Sequence, residues 1–506
     1  MSRGLYAPPL RYLALVASLV SGSAAIAQPT SNILSEAARV AAEGFAIGSD
    51  AGAGGDPQTS VAQPVFSAQR SAEVTSTIQD LLGPAGDPGG YRAFLRARGI
   101  TYDLIYFTEA VHTARGGVRR GTATLGLVDV DVDVDLDTLT GWKGAALHTT
   151  FYQVHGRGAS RSYVGNLLTV SDIEALSASR LNELWFEQSL FDGRVAVRVG
   201  QLATDTEYMV SQTGILFTNG SLGWAAILAS SLRGGGPSYP LASPGVRVKV
   251  VPNANLSFQA GLYDGDPGGP DRLGREPDPQ RRNRTGTRFP LSDPALALAE
   301  VSYAYNIAPG STGEPGTVTL GGWYQFGHFN AYDRDADGRS LADPASSGIG
   351  RRRRGDGGIY GLVDQTIYRE PNDPNDGASV FLRAAGSPGN RNLIDFYLDA
   401  GIAYRGLFRG RSDDTMGLAV GHARISPAAR RLDFEAAAFS GLPGPRRSAE
   451  TVVEATYQAV LGPGVGLQPS IQYVFKPGGG ISNPRDPDGS RIRNAAVFGL
   501  RATIRY

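Results

Sequence analysis

The sequence predicts an all-β fold: a sixteen-stranded antiparallel transmembrane β-barrel with short periplasmic turns and long extracellular loops. Three observations carry that prediction. Runs in which apolar and polar residues alternate with period two recur sixteen times from about residue 100 to the end. The segments joining them alternate between short turns and long polar loops, an asymmetry that a membrane barrel shows and a secreted sandwich has no reason to adopt. The last run places Phe498, Leu500, Ala502, Ile504 and the terminal Tyr506 on one face, against Arg501, Thr503 and Arg505 on the other.

Composition narrows the partners. The 506 residues carry 48 basic and 48 acidic side chains, so there is no basic surplus to bind nucleic acid. Cysteine is absent, which excludes disulfides and thiolate metal sites. The 67 glycines suit an all-β chain with many turns.

Taken in order, residues 1–27 read as a cleaved signal peptide. Arg3 and Arg11 precede an apolar run at 13–20, and Ala25-Ile26-Ala27 is a small-x-small cleavage site. That run is too short for a spanning helix, and no later stretch approaches the roughly 18 consecutive apolar residues one needs. The expected destination is the outer membrane of a Gram-negative cell. Residues 28–70 form a low-complexity segment rich in Ala, Gly, Ser, Gln and Pro, and residues 71–99 a helical lead-in. The barrel occupies residues 100–506.

Strands are expected to start near Thr101, Thr122, Trp142, Glu183, Arg194, Val246, Leu256 and Ala297, then near Thr317, Gly358, Ala378, Leu393, Thr415, Thr451, Val465 and Asn494. An even count suits a single-chain bacterial barrel. The clearest hairpin is LNELWFEQSLFDGRVAVRVGQL at 181–202, with Asp192-Gly193 as its turn. One face of its first arm holds Leu184, Phe186, Gln188 and Leu190; the other holds Glu183, Trp185, Glu187 and Ser189. The strand at 393–405 sets Ile394, Phe396 and Leu398 against Asp395, Tyr397 and Asp399, and residues 128–137 alternate valine or leucine with aspartate. A lipid-facing band accounts for the apolar members and a wet lumen for the charged ones.

The short connections are 138–141, 192–193, 252–255, 407–414 and 461–464. The long ones are 156–180, 203–243, 265–294, 330–357, 426–449 and 477–493.

From about residue 81 to the end the chain resembles the OprB-type carbohydrate-selective porins. The segments DPGGYRAFLRARGITYDLIY (87–106), GWKGAALHTTFYQVHGRGAS (141–160), the 181–202 hairpin and GGPSYPLASPGVRVKV (235–250) carry the likeness. So do LYDGDPGGP (262–270), ETVVEATYQ (450–458) and LQPSIQYVFKPGGG (467–480). Outer-membrane barrels more often end in Phe than in the Tyr found here. The resemblance implies passive diffusion of glucose-like monosaccharides, with no cofactor.

The lumen is expected to present Glu183, Trp185, Glu187, Arg194, Arg198, Arg247, Lys249, Asp395, Tyr397, Asp399, Glu454 and Gln472, along with Arg501 and Arg505. Sugar hydroxyls both donate and accept, so carboxylates and guanidinium groups can each bind them. Trp185 or Tyr397 would supply an apolar platform. The competing reading is that these groups pair with each other and stiffen the wall. The loop at 203–243 either folds inward as a constriction, its Arg233–Tyr239 run packing on the wall, or faces outward.

Two further motifs stay open. Asp333-Arg-Asp335-Ala-Asp337-Gly338 begins like a calcium loop, but Pro344 stands where the bidentate Glu belongs, so an acidic surface loop competes and no metal is assigned. Arg351–Arg354 lie near the outer leaflet, either facing lipopolysaccharide phosphates or as a solvated charge run. The five histidines are scattered, with no H-E-x-x-H or G-x-S-x-G motif, so no enzyme is expected. The expected partners are small sugars, outer-membrane lipid and lipopolysaccharide, and a homotrimer is one possible assembly. A general or ion-selective porin of the same fold is the alternative function, with an outer-membrane barrel enzyme the remoter one.

Overall fold

A computed structural model describes residues 77–506 except 272–275, 309, 372, 442–443, 445 and 487. The expected signal peptide, the low-complexity segment and the first residues of the lead-in lie outside the described residues. What is described of the lead-in includes two short helices, Ile78–Leu82 and Tyr91–Arg96.

The described residues build sixteen strands. The first four are β1 (Ile100–Gly117), β2 (Gly121–Asp135), β3 (Ala145–Gly156) and β4 (Ala178–Leu190). Next come β5 (Val195–Leu202), β6 (Ser243–Asn253), β7 (Leu256–Tyr263) and β8 (Leu296–Tyr305). They are followed by β9 (Gly316–Asn330), β10 (Arg352–Glu370), β11 (Asp373–Gly386) and β12 (Ile394–Arg405). The last are β13 (Thr415–Ile425), β14 (Ala449–Gly462), β15 (Val465–Phe475) and β16 (Arg493–Arg505). Each pairs antiparallel with its sequence neighbours, and β1 closes on β16, so no sheet edge is left open.

Alternation sets the two surfaces. On β16, Phe498, Leu500 and Ile504 are exposed on the outside while Arg501 is buried inside. On β4, Leu184 and Leu190 are exposed and Glu183 and Trp185 buried. Apolar-out and polar-in is the pattern that lipid outside and water inside select.

Two bulges alter faces that strict alternation would give. β3 pairs Thr150 with Glu183 but Phe151 with Leu181, so Asn182 is the extra residue. Arg180 and Glu183 are therefore both buried despite their odd spacing. On β12 the register shifts between Ile394 and Phe396. Ile394, expected on the outer row, is instead fully buried.

The inner wall is not uniformly polar. Ile105 and Phe107 of β1 and Leu125 and Leu127 of β2 belong to one buried cluster with Val164, Leu168, Val170 and Ile173. Those last four lie in the loop 157–177, so the apolar inner face is covered by folded-in chain rather than wetted. Loop 203–242 joins the same cluster through Tyr208, Met209, Ile227 and Leu228. The core of this barrel sits in its own lumen.

Candidate functional site

A loop inside a barrel cannot join the sheet, yet its buried N–H and C=O groups must be satisfied. Side chains on the inner wall do this. Glu183 of β4 accepts from Ala203 N at 2.9 Å, and Glu300 of β8 from Met209 N at 2.8 Å. Asp364 of β10 accepts from Ser211 Oγ and Thr213 N at 2.7 and 3.1 Å. Glu454 of β14 accepts from Thr218 N and Asn219 N at 2.8 and 2.9 Å. Loop 157–177 is held similarly by Glu450, which takes Leu168 N at 2.7 Å.

Carbonyls are met by arginine. Arg383 of β11, with its side chain fully buried, donates to the Met209, Gly223, Ser221 and Leu222 carbonyls at 2.8 to 3.0 Å. Its charge is balanced by Asp399 of β12, bound through Nε at 3.0 Å and also through Nη2. Tyr397 donates to Ser221 O at 2.7 Å, and Gln472 donates to Val170 O at 2.7 Å. Loop 203–242 thus takes the inward course, one of the two expected.

A charge cluster lies where β4, β5 and β6 meet the loop. Arg198 donates to Glu187 at 2.9 Å and to Glu207 of the loop at 2.5 Å. Arg247 donates to Glu207 at 2.7 and 2.9 Å and to Glu187 at 3.2 Å. Burial alone would raise the Glu207 carboxyl, but the two guanidinium groups outweigh it and hold it below the usual glutamate range. Two positive and two negative charges cancel.

The expected lumen residues therefore divide. Glu183, Tyr397, Asp399, Glu454 and Gln472 are loop anchors, and Glu187, Arg198 and Arg247 form the charge cluster. Lys249, next but one to Arg247 on the inward row, is exposed. Arg194 sits in the exposed turn 191–194 rather than on the strand wall. Asp395, displaced by its bulge, pairs with Arg424 of the outward row at 2.9 and 3.0 Å, so it marks the rim and not the pore. Neither expected platform is open. Trp185 is 3% exposed, stacked on His148 at 4.7 Å with the Arg198 guanidinium 3.6 Å over its ring, and Tyr397 is fully buried.

A cavity of about 270 Å³ lies between loops 157–177, 203–242 and 264–295. Trp224, Tyr239, Asp172, Glu174, Asp205 and Thr206 are among its lining residues. Asp172 is held by Arg501 of β16, which also pairs with Glu109 at 3.1 Å. Burial pushes the Glu174 carboxyl up against the N–H groups of Ser160 and Arg161 that it accepts from at 3.0 and 3.2 Å. Tyr239 is fixed by donating to Ile173 O at 2.9 Å, and Gly234, Gly235 and Gly236 before it all take positive φ, which lets the run expected to pack closely turn back on itself. Aromatic faces beside carboxylates suit a polyol: its C–H face packs on the rings and its hydroxyls donate to the oxygens.

Sequence reasoning missed Glu207, Arg383, Trp224 and Asp172. Arg383 was in reach, since it stands on the inward row of a regular strand. The other three lie in loops, where no periodicity assigns a face.

The acidic loop is organised by its own contacts. Asp333 pairs with Arg431 at 2.9 Å, and Asp335 accepts from the N–H groups of Arg339 and Asp337. These carboxylates are committed within the loops.

The profile of the carbohydrate-selective porin, OprB family matches residues 119–506. Porin B of Pseudomonas aeruginosa is 23% identical over 439 residues, covering 82% of this chain and 89% of that protein. The high-pH structure of Pseudomonas putida OprB superimposes with a TM-score of 0.73 at 20% identity, covering 83% of this chain and 98% of that one. At such identity the superposition speaks to the fold, and the family match, spanning β2 to β16, speaks to the activity. The chain belongs to the carbohydrate-selective porin, OprB family: it is an outer-membrane channel for sugars, not an enzyme.

Proposed function

We propose that the sugars are small and glucose-like, and that they pass through the cavity left between loops 157–177, 203–242 and 264–295. The observation that carries this reading is the docking of loop 203–242 across the lumen, which withdraws most wall charges from the path. Trp224 and Tyr239 serve as apolar faces, and Asp172, Glu174 and Asp205 as acceptors. Lys249 and the cancelled cluster of Glu187, Glu207, Arg198 and Arg247 continue the route toward the periplasm. The cancelled charges of that cluster favour neutral solutes over ions along this part of the route, and weak contacts allow release at the far side. The route lies within one barrel and does not call on a trimer. The signal peptide expected at 1–27 fits delivery to the outer membrane.

Liposome swelling with purified protein tests this, comparing glucose, a disaccharide and an amino acid close to glucose in size. Glucose should enter faster than the amino acid. Equal rates for equal sizes would make the chain a general porin. Trp224→Ala should remove most of the glucose advantage, worth about 1 kcal/mol or roughly fivefold, while the amino acid rate holds or rises. A glucose advantage that survives the substitution would move the platform elsewhere.

A further inference from the structure

The outside of the barrel carries a cationic patch that the sugar route does not use. At the extracellular ends of β9 and β10 the register shifts between Arg354 and Asp356, with Gly355 and Gly327 both at positive φ. The faces are reset there. Phe329 points inward, where the Arg233 guanidinium lies 5.1 Å over its ring. Its neighbours His328 and Asn330, with their register partners Arg354 and Arg352, therefore face outward, and all four are exposed.

Directly below stand Tyr324 and Phe326, exposed on the lipid-facing row with rings edge-on at 4.9 Å. The Tyr324 hydroxyl reaches Gly355, so near that a Cβ there would collide with it at 1.9 Å. A tyrosine with its ring on the apolar band and its hydroxyl at the upper end marks the headgroup level. Arg354 and Arg352 follow one and three residues beyond Gly355, or roughly 3 to 10 Å further out at strand rise. A third guanidinium, Arg391, is pinned beside them by donating to the Arg354 and Gly355 carbonyls. Neither Arg352 nor Arg354 is ion-paired among the described residues.

We propose that Arg352 and Arg354, with Arg391 beside them, bind the phosphates of a phosphorylated glycolipid of the outer leaflet, its acyl chains lying along Tyr324 and Phe326. Arg352 and Arg354, exposed on one face of the strand at a lipid boundary with no carboxylate partner among the described residues, repel one another unless an anion joins them. Their planar forks match phosphate bidentately. The outward orientation and the aromatic pair beneath select an anion that carries hydrocarbon. This assignment rests on the outer-membrane location and is independent of the sugar route.

Native mass spectrometry of the full-length protein in detergent tests it, with bis-phosphorylated lipid A as the probe. The unaltered protein should retain the lipid. It should bind lipid A stripped of both phosphates at least about tenfold more weakly. Arg352→Gln combined with Arg354→Gln should weaken binding of the intact lipid by a similar factor and leave glucose swelling unchanged. Equal binding of the phosphate-free lipid, or retention within about twofold by the double variant, would overturn the proposal and leave a solvated charge run. Displacement by millimolar inorganic phosphate would overturn it too, by showing a simple anion site. The lipid comparison uses the unaltered protein, so it decides the matter even if the variant folds poorly.

Discussion

Arg383→Ala should open the channel. The substitution strands the buried Asp399 without its partner and leaves the Met209, Ser221, Leu222 and Gly223 carbonyls unbonded. Removing one member of a buried ion pair costs about 3–5 kcal/mol. The barrel has no reason to yield first, because its inter-strand hydrogen bonds do not pass through the loop. The cost falls on the docking of loop 203–242, which swings out or frays. Single-channel conductance should therefore rise, and size discrimination between glucose and a disaccharide should fall. Thr218 and Asn219 of the same loop hang on Glu454, so Glu454→Ala should have the same sign. The double variant should add little further, since a loop can be released only once. Unchanged conductance in Arg383→Ala would mean that the loop holds its place without these anchors.

The second large effect is on charge selectivity. Arg198→Ala removes one of two cations that neutralise Glu187 and Glu207. It leaves a net negative charge in a narrow, partly desolvated passage and uncovers the face of Trp185 on which the guanidinium lies. Losing hydrogen bonds to charged partners costs about 1.5–3 kcal/mol each, and the residual charge favours cations over anions. The reversal potential in a salt gradient should shift toward that of potassium, with a smaller shift for Lys249→Ala, a residue that makes no ion pair with Glu187 or Glu207. No shift in either variant would place the cluster outside the conducting path.

Much of this was legible before any coordinates. Leu184, Leu190, Phe498, Leu500 and Ile504 face outward as their alternation says, because a residue's side of a strand is set by local geometry of period two. The count of strands follows from the same rule, and every expected strand is present, the starts of β4, β10 and β11 moving from near Glu183, Gly358 and Ala378 to Ala178, Arg352 and Asp373. Where local geometry is broken, the reading failed. The bulge at Asp395 inserts one residue, turning Ile394 inward and Asp395 to the rim, and nothing in that string announces it.

By itself the sequence determined a barrel with apolar outside, polar inside and loops gathered at one end. The contrast between lipid and water imposes that pattern residue by residue. Only the tertiary structure decided what the inward charges meet. Glu454 and Thr218 stand 236 residues apart and become partners because loop 203–242 crosses the lumen. A carboxylate on an inward row has the same sequence signature whether it faces water, a sugar or a backbone N–H. The path of the loop chooses among these, and burying unpaired N–H and C=O groups would cost too much for that path to run anywhere the wall does not offer partners.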